Sequence, residues 1–161
     1  MKYRIEIIKD RFVIGMKTRT SVLNINENTK QLAQVFMPRR HEVLSRIGKH
    51  VFSIQNYGKD FTPANPNSEF DKWIGIEVDN TSDIPKGMDS FVISSGTFVV
   101  FSFKGSVSEL PKQRAYIFQE WLPNSGYQLD QKAHFEILSE DYSKDLQNIK
   151  EEIWIPIKQV E

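Results

Sequence analysis

Trp73-Ile74-Gly75-Ile76 and Trp154-Ile155-Pro156-Ile157 are the two stretches whose reading decides the fold. Each sets an indole beside two isoleucines spaced by two, the side-chain period of a β-strand. Each follows a helix-like stretch, a strand and a polar loop. Phe12 to Trp73 spans 61 positions and Phe98 to Trp154 spans 56, so the periods agree within a loop insertion. This placement reads as an internal duplication; the alternative is that apolar strands carrying Trp simply look alike.

Working outward, residues 3–9 alternate as a strand, Asp10-Arg11 turns the chain, and 12–19 read as its hairpin partner. An Asn-rich polar loop follows. Leu32, Val35, Phe36, Arg40, Val43, Leu44 and Ile47 then recur at helical spacing up to Gly48, with Pro38 expected to kink or split the helix. Residues 51–56 and 72–78 are strands around a loop holding Gly58, Pro63 and Pro66. The order then restarts. Residues 91–95 and 97–103 form a hairpin, and Ser108 is the expected N-cap. Leu110, Ile117, Phe118, Trp121 and Leu122 mark a second helix, closed by Pro123-Asn124-Ser125-Gly126. Residues 133–138 and 151–158 are the last strands. The chain therefore reads as one α+β domain over 1–161. It has two pseudo-symmetric β-β-α-β-β halves, about 1–80 and 88–161. Antiparallel sheets should form a central cleft, with helices on the outer faces.

Composition narrows the function. Lys plus Arg equals Asp plus Glu at 21 each, so the basic excess of a nucleic-acid binder is missing. Pro38-Arg39-Arg40-His41 reads as a solvated helix face. With no cysteine, thiolate metal sites and cysteine nucleophiles are excluded. Charges at Lys2, Arg4 and Glu6 fall where a signal peptide needs an apolar run, and no stretch approaches the ~18 apolar residues of a membrane span. A cytoplasmic location is expected. His41, His50 and His134 show no metal spacing and read as surface or edge residues. No phosphate loop or nucleophile elbow is present, and no cofactor or metal is expected.

Several motifs, in order, resemble one family. They are Phe12-Val13-Ile14-Gly15-Met16, Phe98-Val99-Val100-Phe101-Ser102-Phe103-Lys104-Gly105, Glu120-Trp121-Leu122-Pro123-Asn124-Ser125-Gly126-Tyr127, Phe135-Glu136 and Ile153-Trp154-Ile155-Pro156-Ile157-Lys158. Together they resemble the GyrI-like, or AraC-type effector-binding, family over nearly the whole chain. The resemblance implies paired β-α-β-β modules, a cleft between them, and ligands that are often lipophilic cations. Some members are sensing halves of transcription regulators, some stand alone, and some resemble hydrolases of reactive ring compounds. The likeness begins at the first residues, so no helix-turn-helix and no direct DNA contact are expected.

Glu136 is the first candidate. Alternation sets Phe135 and Ile137 against Glu136 and Leu138. If a helix covers the Phe135/Ile137 face, Glu136 enters the cleft, where a carboxylate would hold a cation or act as an acid or base. Otherwise it is an exposed strand glutamate. The tyrosine that many relatives carry just after this glutamate is replaced by Ile137-Leu138-Ser139. Trp73 and Trp154 would form symmetric aromatic walls, or fill the core between halves. By the resemblance, Trp121 edges the cleft and Tyr127 lies at its mouth. Glu77 shares the Trp73 face and is expected to be exposed. Three functions stay open: a binding module for a small lipophilic or cationic molecule; a small hydrolase with Glu136 as general acid/base; and a domain that acts on a protein partner.

Overall fold

The computed structural model describes residues 1–161. Strands β1 (Lys2–Ile8), β2 (Arg11–Ser21), β3 (His50–Asn56), β4 (Glu69–Val78), β5 (Asp89–Ile93), β6 (Gly96–Gly105), β7 (Tyr127–Leu129), β8 (His134–Ser139) and β9 (Ile149–Gln159) make one antiparallel sheet. The order is β1-β6-β9-β8-β3-β4-β2-β5, with β7 on β9. Read inward from each edge, the two halves match. The triple β2-β4-β3 mirrors β6-β9-β8, and Trp73 on β4 corresponds to Trp154 on β9. The α+β class and the paired halves are thus present. Instead of two facing sheets, however, β3 and β8 join the halves edge to edge, through Ser53↔Glu136 and its neighbours.

The hairpins expected from residues 3–9 with 12–19, and from 91–95 with 97–103, are both exchanged. β1 pairs with β6 of the other half, and β5 pairs with β2. Their connections, Lys9-Asp10 and Ser94-Ser95, run side by side, and the Ser95 amide donates to Asp10 Oδ1 at 2.7 Å. Exchange brings the sheet edges together. Ile8, Phe91 and Ile93 then close over a core made by both halves: Val13, Phe52, Ile54, Trp73, Phe98, Val100, Phe135 and Trp154. A hairpin folded on itself would leave this face open.

Gly15 and Gly75 sit opposite each other in β2 and β4. A Cβ on Gly15 would lie 2.1 Å from the Ile74 carbonyl oxygen, so the two backbones approach more closely than any side chain permits.

The other face carries both helices. Helix α1 (Ile25–Phe36) starts inside the stretch expected to be loop and ends before Pro38. The proline cannot donate to a fourth-residue carbonyl, and the chain tightens into a 3-10 helix over Met37–Glu42. Leu44 and Ile47, expected on the helical stripe, are instead exposed. Leu32 and Phe36 pack on Ile14, Met16, Ile74 and Ile76. In the second half the cap is Ser106 rather than Ser108: Ser106 and Glu109 form a reciprocal capping box. Helix α2 (Leu110–Tyr116) then runs into a π-helical turn (Ile117–Trp121) and a last α-helical turn, α3 (Leu122–Asn124). Ile117 packs on Val99, Phe101, Ile153 and Ile155. No helix is long and apolar enough to cross a membrane.

Candidate functional site

The two central strands meet between the helices, and there the helix face turns polar. Cross-strand partners share a face, so Ser53 and Gln55 of β3, Lys72 of β4, Glu136 of β8 and Glu151 of β9 gather in one patch. All five are buried. A buried charge is costly unless it is paired and hydrogen-bonded, so its partners identify its role.

Glu136, at 6% exposure, has such partners. Gln55 Nε2 donates to its Oε2 at 2.9 Å, and Arg114 from α2 reaches its Oε1 at 3.3 Å. Gln55 is a relay, because its own oxygen accepts from Lys72 Nζ, which also donates to Ser53 Oγ at 2.6 Å. Burial pushes the Glu136 carboxyl up, but Arg114, Lys72 and Gln55 outweigh it and hold the group below the usual carboxylate range. Burial lowers the Lys72 ammonium in turn. Glu151 lacks such support. Its Oε1 lies 3.9 Å from Arg114 and has no hydrogen bond. Burial, followed by the Glu136 charge, pushes its carboxyl up to about 7.

Aromatic rings collar this patch. Tyr57, just past β3, packs on Phe61 at 4.6 Å, Phe70 at 4.8 Å and His134 at 5.1 Å between centroids. Phe118 of the π turn stacks on His134 from the other side. Burial and the Glu136 charge raise the Tyr57 phenol to about 12, so it stays neutral. Burial lowers His134 to about 4, so its imidazole is neutral near pH 7. His134 is therefore no surface histidine. Tyr57 brings a phenol near Glu136 from the opposite half, although the strand after Glu136 supplies none.

The expectation that Glu136 and the two tryptophans face one cleft is corrected. Ile74, Ile76, Ile155 and Ile157 do pack toward the helices, which sends Trp73 and Trp154 to the opposite face. Phe135 joins them there, stacked on Trp154 at 5.2 Å and on Phe52 at 5.8 Å. What covers the Phe135/Ile137 face is this two-half aromatic core, not a helix. Glu136 accordingly points the other way, under α2. Trp121 packs edge-on to Tyr3 and Phe101, both at 5.2 Å, and stacks on Tyr127. That cluster lies toward β1 and β6, away from Glu136. Glu77, expected to be exposed, is 15% exposed and held by Arg11 at 2.7 and 2.9 Å.

The sequence reading missed Tyr57, Lys72, Arg114 and Glu151. For Lys72 and Glu151 the signal was available: a charged residue on the isoleucine face of an otherwise buried strand. Arg114 has the weaker signal of facing the apolar stripe of α2 four residues before Phe118.

The arrangement is a buried, neutralised carboxylate inside an aromatic collar, between two helices and two halves. Residues 1–158 match the GyrI-like small molecule binding domain. The Pseudomonas aeruginosa transcriptional regulator BrlR is 29% identical over 128 residues, covering 79% of this chain and 45% of the regulator. The chain thus spans less than half the length of that relative. The structure of SAV2435 bound to tetraphenylphosphonium aligns with a TM-score of 0.73 at 17% identity, covering 98% of this chain and 94% of that one. EcmrR in its complex with DNA aligns with a TM-score of 0.71 at 16% identity, covering 99% and 58%. These two structures share the fold, and the match over residues 1–158 assigns the family: this chain belongs to the GyrI-like small-molecule-binding domains.

Proposed function

We propose that this chain binds a small lipophilic molecule between α1 and α2, against the collar of Tyr57, Phe61, Phe70, His134 and Phe118, with Glu136 as the charged anchor. The observation that carries this reading is the burial of an ionised carboxylate whose cationic partner, Arg114, comes from a helix and is itself 37% exposed. A ligand cation would take the place of that guanidinium. Displacing Arg114 costs mainly the lost ion pair, because its side chain already lies partly in solvent. The π turn directly after α2 gives this helix an irregular, adaptable end.

A carboxyl held below its usual range suits a binding anchor better than a general acid. The hydrolytic reading therefore gains nothing from Glu136. On this reading the chain acts as one cytoplasmic domain that senses or sequesters its ligand, without direct contact to nucleic acid. The SAV2435 structure makes tetraphenylphosphonium the natural probe. In calorimetric titration with it, Glu136→Gln should weaken binding at least tenfold. Arg114→Ala should tighten it, because the competing cation is gone. Equal affinity in all three proteins would remove Glu136 from the site.

A further inference from the structure

The face opposite Glu136 holds a groove of about 950 Å³. It crosses one end of the sheet from β1 to β2, where the strands diverge beyond the aromatic core. Phe52 and Ile137 give it an apolar floor. Arg11 lies flat over the Phe52 and Trp154 rings, at 5.2 and 5.4 Å. The volume is that of a site for a drug-sized molecule.

Charge singles this groove out. Lys2, Lys104 and Lys150 all line it, and all are exposed. Lys104 and Lys150 are direct cross-strand partners, and Lys2 pairs with Ser102, two positions from Lys104 on the same face. Like charges directly opposite in a ladder repel. Neighbouring carboxylates do not relieve them. Glu77 is taken by Arg11 at 2.7 Å, and Glu152 by Arg4 at 3.0 Å and the Trp154 indole at 3.2 Å. Glu151 borders the groove but sends its carboxyl to the other face, toward Arg114. None of the three lysines has an ion-pair partner within the chain.

We propose that this groove is a second binding site, for a small aromatic anion. Its ring would lie over Phe52 and Ile137, and its carboxylate or sulfonate among Lys2, Lys104 and Lys150. The anion would cancel the cross-strand repulsion, and the apolar floor would exclude water from the ring.

The test uses two fluorescent probes with the same ring count: 8-anilinonaphthalene-1-sulfonate and the uncharged N-phenyl-1-naphthylamine. The sulfonate should bind one-to-one and at least tenfold tighter than the uncharged probe. In the K104Q/K150Q variant its affinity should fall at least tenfold. Amide NMR shifts on titration should centre on Phe52, Ile137, Lys104 and Lys150. Equal binding of both probes, unchanged affinity in K104Q/K150Q, or shifts centred on Glu136 and Arg114 would each overturn the proposal. The shift map reads wild-type protein, so it decides the matter even if the variant folds poorly.

Discussion

Glu151 and His134 should pull stability in opposite directions with pH, and removing one should expose the other. Burial raises the Glu151 carboxyl from 4.5 to about 7 in the folded protein. Between those values the native state keeps a proton that the unfolded chain has released. Its contribution is therefore fully present below pH 4.5 and is lost as pH rises to about 7. The loss is on the order of 3 kcal/mol, at about 1.4 kcal/mol per unit. Burial lowers His134 from 6.5 to about 4. There the unfolded chain takes up a proton that the native state refuses, so stability climbs by a similar amount as pH rises from 4 to 6.5. From pH 4.5 to 6.5 the two slopes nearly cancel. In Glu151→Gln only the climb remains. Urea unfolding at pH 4.5, 5.5 and 6.5 should then show stability rising by roughly 2–3 kcal/mol relative to the wild-type profile. The slope is the readout. A buried glutamine amide without a full set of partners costs about 1–3 kcal/mol at every pH and shifts the whole curve equally. A Glu151→Gln profile parallel to wild type would refute the raised carboxyl, and with it the view that Arg114 is committed to Glu136.

Two further perturbations test the frame that holds the site. Gly15→Ala drives a methyl into the Ile74 carbonyl of the facing strand, where backbone cannot yield. It should cost about 3 kcal/mol and lower the melting temperature by roughly 6–12 °C in scanning calorimetry. Phe135→Ala removes the ring stacked between Phe52 and Trp154 on the face away from Glu136. It should cost about 3–5 kcal/mol in urea unfolding.

How far the sequence reaches can be judged strand by strand. Period-two alternation in β4 and β9 reveals the isoleucine face and the tryptophan face, because one property, burial against a helix, repeats within a few residues. It does not say which strand lies alongside. β1 and β5 have the same local pattern whether they pair with β2 and β6 in simple hairpins or trade places. The trade is decided by contacts 85 residues apart, at Ile8, Ile93 and Asp10–Ser95, which no local period records. β8 fails for a different reason. Phe135, Glu136 and Leu138 are all buried, so residues of both faces are buried and burial does not alternate. The pattern separates two faces correctly and leaves open which one a helix covers. That choice rests on whether Phe135 has aromatic partners in the other half, and it has one in Phe52. The same contact sends Glu136 under Arg114, so a packing decision made on one face of the sheet sets the electrostatics on the other. The collar is hidden for a related reason. Tyr57, Phe61 and Phe70 sit in and around a Gly- and Pro-marked loop, yet three aromatic rings in so short a span seldom face water. A loop with that composition beside a strand end is placed to cover whatever the adjoining strands bury, here the Glu136 carboxylate.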